Sequence, residues 1–169
     1  MMKIFFLTIC IFCFTAATAF AGFHENGIGE FYFGETKEKI QQQYILFDEQ
    51  PKEDKIYYSI IAPSFDFYGI DIEQPISLGF KNNLLVTIHF RTPYASLEDI
   101  KSLQQKLMQI TPKNFGKLEF LLPGEAVSVQ EDRLLSISCI DMRDFLPPLF
   151  ILENKNYTYL SVYMTKDAA

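Results

Sequence analysis

Residues 76–91 carry the pattern that most constrains the fold, an alternation of apolar and polar side chains on both sides of a turn. Apolar residues occupy every second position of 76–80 and of 84–90. Between these runs lies Lys81-Asn82-Asn83, and asparagine tolerates the left-handed backbone that a tight hairpin needs. The pattern predicts an antiparallel hairpin with one face in the core, and it places His89 on the opposite face.

A second periodic segment predicts a helix. Apolar side chains recur there at spacings of three and four, which favours one buried stripe. The stripe consists of Leu97, Ile100, Leu103, Leu107 and Ile110. Ser96 can cap this helix and Thr111-Pro112 ends it. A shorter helix is predicted over 37–45, with Thr36 as its cap.

Further strands are predicted where β-branched and aromatic residues cluster between turn-forming residues. The predicted strands cover 30–33, 56–61, 65–72, 118–122, 126–130 and 133–140, followed by a hairpin of 149–152 with 157–164. Residues 22–29 are interpreted as a polar arm, and residues 50–55 as a charged loop.

The order of these elements is a helix followed by strands, repeated once. Helices at the head of antiparallel runs are typical of an α+β fold rather than of a βαβ repeat. We therefore predict an α+β fold, an antiparallel sheet with two helices, in one domain over 22–169. Within it we expect two helix-plus-four-strand halves at 29–91 and 96–164.

The first 21 residues match a secretory signal peptide. Lys3 supplies the positive charge, residues 4–14 are apolar, and small residues follow. The apolar run is shorter than the roughly 20 residues that span a bilayer. Two A-x-A sites end at Ala19 and Ala21, and we expect cleavage after Ala21. The sequence thus predicts an exported protein, periplasmic or secreted, with no stable membrane anchor after cleavage.

Composition narrows the class of partner. The chain has 21 acidic and 15 basic residues and a formal net charge of −6. This balance argues against nucleic acid or an anionic membrane surface as a partner. Cys10 and Cys13 lie in the predicted leader, so the exported chain keeps Cys139 and cannot form an internal disulfide. We interpret Cys139 as a small buried hydrophobe.

Residues 33–40 follow the pattern F-G-x-T-x-x-x-I at the start of the first predicted helix. Gly34 allows a sharp strand-to-helix turn, and Thr36 caps the helix. This segment resembles the start of the helix–sheet repeat in beta-lactamase inhibitor proteins, and also the start of the folded part of the small outer-membrane assembly lipoproteins. The resemblance implies an exported, non-enzymatic α+β domain that works by binding protein.

Candidate catalytic groups are few. The sequence lacks a P-loop, a G-x-S-x-G nucleophile elbow and an H-E-x-x-H zinc motif. Acids lie close together in two places, Asp66, Asp71 and Glu73 in one and Asp141 and Asp144 in the other. Paired carboxylates can do acid–base work, so a small periplasmic hydrolase is one alternative function. We expect neither catalysis nor a cofactor.

A metal site is the other alternative. Cleavage after Ala21 would leave Gly22-Phe23-His24 at the N-terminus. A free amine, two deprotonated amides and an imidazole at the third position can form a square-planar site that suits Cu(II) or Ni(II). Cleavage after Ala19 would abolish this site.

The last predicted strand suggests a binding surface. Tyr157, Tyr159 and Tyr163 share one face of it, and aliphatic residues share the other. Tyrosine is favoured at interfaces because it combines a large contact area with a polar tip. The leading hypothesis is therefore a non-enzymatic binding protein, whose sheet surface contacts another exported protein or an envelope component.

Overall fold

The computed structural model of the protein describes residues 22–24, 26–111, 115–130, 132–152 and 155–166. The predicted leader, with both cleavage sites at Ala19 and Ala21, lies outside these residues. In the part of the chain that the structure describes, no helix is long and apolar enough to cross a bilayer.

The described part of the chain contains eleven strands and two helices. In chain order they are β1 (Phe23–His24), β2 (Gly27–Ile28), β3 (Phe31–Tyr32), α1 (Lys37–Gln41), β4 (Phe47–Lys52), β5 (Lys55–Ile60), β6 (Glu73–Lys81), β7 (Leu84–Arg91), α2 (Leu97–Ile110), β8 (Glu119–Leu122), β9 (Glu125–Gln130), β10 (Arg133–Asp141) and β11 (Thr158–Lys166). Two 3-10 turns, Met142–Asp144 and Pro148–Phe150, lie between β10 and β11.

The pairs formed by these strands are all antiparallel. Strands β1, β2 and β3 form a small sheet, and the other eight form a large sheet in the order β4-β5-β6-β7-β11-β10-β9-β8. The predicted α+β class, with an antiparallel sheet and two helices, is thereby confirmed.

Helix α2 covers one face of the large sheet at β10 and β11. Ser96 caps it as predicted, because its Oγ accepts a hydrogen bond from the Asp99 amide at 3.1 Å. Of the predicted stripe, Ile100 and Leu107 are buried, while Leu97 and Ile110 are exposed. The polar Gln104 is buried among them, since its amide finds backbone partners in the sheet.

Helix α1 is shorter than predicted. Thr36 caps it, with its Oγ1 accepting from the Lys39 amide at 3.3 Å, but the helix ends at Gln41 rather than at residue 45. Ile40 is its buried residue. One turn is enough to place that side chain in the core.

The predicted hairpin is present as β6 and β7, joined at Asn82 and Asn83, which both have positive φ. The register shifts at Gly79 and Phe80. A β-bulge changes which side chains face inward, so Leu85 is fully buried although the alternation predicted Leu84 there.

The strand predicted at 65–72 is wrong. Asp66 Oδ1 accepts a hydrogen bond from the Gly69 amide at 2.7 Å, and Tyr68 and Gly69 both have positive φ. These features fold the segment into a turn. Phe65 and Phe67 are nevertheless buried, because the turn packs them into the core as a strand would.

Three other segments also differ from prediction. Residues 47–52, expected in part as a charged loop, form the edge strand β4. Residues 22–29, expected as a polar arm, supply β1 and β2, whose Phe23 and Ile28 join the core. Residues 149–152 form no strand, and β11 pairs instead with β10 and β7. The Pro148–Phe150 turn occupies that place, because proline favours a turn and cannot donate to a strand ladder.

Candidate functional site

The large sheet has one face that points away from α2, which we call the helix-free face. Along β11 the buried residues Leu160, Val162 and Met164 point to the core. The alternating residues Tyr159, Ser161, Tyr163 and Thr165 are half-buried on the helix-free face. Two of the three predicted tyrosines, Tyr159 and Tyr163, therefore share this face.

The strand register gives the helix-free face a polar row across its centre. Tyr163 lies opposite His89 on one side and Ser136 on the other, and His89 lies opposite Ser77 of β6. Ser77 in turn lies opposite Ser59 of β5. The row places hydroxyl groups and one imidazole next to each other, and Tyr163 adds a phenol ring beside the imidazole.

A depression of about 520 Å³ lies on this row. Its lining residues come from β4, β5, β6, β7 and β11, namely Gln50, Pro51, Lys52, Tyr57, Ser77, His89 and Tyr163. Strands β5, β6 and β7 separate β4 from β11 in the sheet. Because the edge strand β4 and the central strand β11 both line the depression, the sheet is curled so that β4 faces β11.

Tyr57 forms one wall of the depression. Its ring passes close above Gly79, where a Cβ would lie 2.8 Å from Tyr57 Cε1 and 2.9 Å from Thr87 Cβ. Burial, and after it the hydrogen bond with Tyr163, raises the pKa of Tyr57 to about 12. Tyr57 therefore stays protonated at neutral pH and presents a hydroxyl group, not a charge.

His89 forms the floor. Its Nε2 lies 3.0 Å from Ser161 Oγ, and its ring centroid lies 6.1 Å from that of Tyr163. Burial, and then the positive charge of Arg91, lowers the pKa of His89. The imidazole is consequently neutral at neutral pH and can both donate and accept a hydrogen bond.

Next to this row lies an aromatic and charged cluster that includes Tyr159. The Arg91 guanidinium lies 5.3 Å from the Tyr159 ring centroid and 6.0 Å from that of Tyr94. Arg91 Nε lies 2.8 Å from Glu73 Oε2, an ion pair in which the N–H does not point at the oxygen. Because this ion pair offsets the charge of Arg91, the surface that the cluster exposes is mainly aromatic.

Tyr157 lies away from the helix-free face residues of β11. It precedes the strand, and its hydroxyl accepts from the Leu152 amide at 2.8 Å and donates to the Phe150 carbonyl at 3.0 Å. Tyr157 therefore holds the loop that precedes β11 and does not share the helix-free face with Tyr159 and Tyr163.

The predicted metal residues Gly22, Phe23 and His24 lie in and before β1. The Phe23 amide donates to the Tyr68 hydroxyl at 3.1 Å, and His24 Nε2 lies 3.1 Å from the Gly29 carbonyl oxygen. Binding of Cu(II) through the backbone would require the Phe23 amide to leave Tyr68. Among the described residues, no three His, Cys, Asp or Glu side chains lie together as a metal site.

Three of the clustered acids have local partners. Asp66 bonds the Gly69 amide, Glu73 pairs with Arg91, and Asp141 pairs with Arg143 at 3.0 Å. The Arg143 hydrogen bond lowers the pKa of Asp141, opposite to the change that a general acid needs. Burial raises the pKa of the Cys139 thiol, so it is less reactive than a free cysteine.

Tyr57, Ser77 and the β4 residues were not predicted from the sequence as parts of one site. The alternation placed His89 on the outer face, but strand order decides which residues become its neighbours. A search of family models, of curated proteins and of solved structures found no match to this chain.

Proposed function

We propose that this protein is an exported, non-enzymatic binding protein that contacts another exported protein or an envelope component through its helix-free face. The observation that carries the proposal is the depression in which Tyr57, His89 and Tyr163 meet across several strands. Tyrosines at the centre of a surface supply contact area and hydrogen bonds at little entropic cost. The leader-like N-terminal sequence supports export.

Binding fits the charge state of these groups better than catalysis does. A Ser–His contact can serve as nucleophile and base when a carboxylate orients the imidazole. Burial, and after it the positive charge of Arg91, instead disfavours the imidazolium that a general base must form and lowers the pKa of His89. His89 and Tyr57 are therefore neutral donors and acceptors for a bound partner.

Affinity capture from an envelope extract tests the proposal. We expect Tyr163→Ala to weaken partner binding by roughly tenfold or more, the usual effect of truncating a central interface tyrosine. Tyr32→Ala is the matched control, because Tyr32 is 48% exposed and lies on the small sheet. Equal capture by wild type and Tyr163→Ala would contradict the proposal.

We also propose that the chain consists of two helix-plus-four-strand halves at 29–91 and 96–164. The strand order supports this division, because β4 to β7 are consecutive in the large sheet and so are β8 to β11. The halves would then meet at β7 and β11, which carry His89 and Tyr163. A binding site at the junction would require both halves.

A further inference from the structure

Between β10 and β11 the chain forms an exposed segment with no charged side chain and no side chain that can hydrogen bond. Residues 145–152 read Phe-Leu-Pro-Pro-Leu-Phe-Ile-Leu. Four of these side chains are largely exposed: Phe145 at 71%, Leu149 at 92%, Phe150 at 66% and Leu152 at 52%. Single exposed apolar residues are ordinary, but a contiguous apolar surface marks a contact site.

Most backbone N–H groups of this segment are bonded within the chain. The amides of Phe145, Phe150 and Ile151 donate to carbonyls of the third residue before each of them, and the Leu152 amide donates to the Tyr157 hydroxyl. Four of its six N–H groups are thereby bonded, and its two prolines have none. Hydrocarbon offers no hydrogen-bond partners, so each of these internal bonds lowers the cost of contact with lipid.

We propose that residues 145–152 insert into the interfacial region of a phospholipid bilayer as a peripheral contact. A protein partner is a poorer fit, because protein interfaces combine apolar anchors with polar rims and hydrogen bonds that this segment does not offer. The proposal concerns a surface other than the helix-free face and goes beyond the binding function proposed above.

The charge around the segment favours a zwitterionic lipid surface over an anionic one. Arg143, which precedes the segment, is paired with Asp141, and the exposed Asp144 adjoins it. The chain as a whole carries a formal net charge of −6. An anionic surface would repel such a protein, whereas apolar insertion into phosphatidylcholine has no such cost.

The chain contains no tryptophan, so a single substitution gives a unique local fluorophore. In the full chain, we expect Phe150→Trp emission to shift to shorter wavelength on addition of phosphatidylcholine vesicles. Vesicles with brominated acyl chains should quench it. Ile45→Trp is the matched control, because Ile45 is 83% exposed and precedes β4, and its emission should not change. This comparison is local, so lipid binding by the apolar N-terminal run does not decide it.

A second variant tests the contribution of the segment itself. Leu149→Ser in the Phe150→Trp background should reduce the quenching, and the exposed position leaves the fold unaffected. If vesicles leave the emission of the Phe150→Trp variant unchanged, the proposal is overturned. A short-wavelength emission that is present without lipid and depends on protein concentration would overturn it in favour of a second copy of the chain.

Discussion

At the residue scale, His89 couples the helix-free face to pH. Its pKa is lowered in the folded chain, so protonation is easier in the unfolded chain, whose histidines titrate near 6.5. The free energy of unfolding should therefore fall as the pH drops below about 6.5. His89→Gln removes the titrating group, so we expect a smaller fall in this variant. Urea unfolding between about pH 8 and pH 5 measures it, and an identical pH profile would contradict the assignment.

Gln104 supports the sheet from α2 at the same scale. Its Nε2 donates to the Gly124 carbonyl at 2.7 Å and to the Ile137 carbonyl at 2.6 Å. Gln104→Leu should lower the free energy of unfolding by roughly 1–3 kcal/mol, because buried carbonyls lose their donor. Its neighbour Gln105 is exposed, so Gln105→Leu should change stability by less than about 0.5 kcal/mol. Equal effects in denaturant titrations would refute the role of Gln104.

At the scale of elements, the two edge strands of the large sheet differ in protection. Both strands have a register irregularity, but β4 also carries Pro51, which cannot donate a backbone hydrogen bond to another chain. Strand β8 instead exposes Phe120, Leu121 and Leu122. We expect Leu121→Lys to slow aggregation during mild heating, measured by light scattering, whereas Gln50→Lys on β4 should have no effect. Unchanged or faster aggregation of Leu121→Lys would contradict a role of β8 in aggregation.

Local patterns predicted some elements well and could not predict others. The 76–91 hairpin and the cap of α2 follow from neighbouring residues, because alternation and capping act within a few positions. The strand predicted over 65–72 is wrong, because its aromatic side chains are typical of a strand whereas Asp66 and Gly69 form a turn. The candidate site was only partly predictable, because Tyr57, His89 and Tyr163 come together through the strand order.

At the scale of the whole molecule, the two proposed halves make a prediction about folding. Chains 22–93 and 94–169 would each expose one side of the β7–β11 pairing, with Ile88 and Phe90 on one and Val162 and Met164 on the other. We expect neither fragment to unfold cooperatively alone, and the two to form a one-to-one complex when refolded together. Calorimetry of each fragment and of the mixture measures this. If the mixture instead shows two independent unfolding transitions, one for each fragment, a shared core is contradicted.

The proposed function depends on binding of the partner in the depression of the helix-free face. Site-specific photo-crosslinking tests it most directly, with the crosslinker at Gln50, which is exposed and lines the depression. The control position is Gln105, exposed on α2 on the opposite side of the sheet. We expect a partner adduct from position 50 and none from position 105. An adduct from position 105 alone would contradict the proposed function.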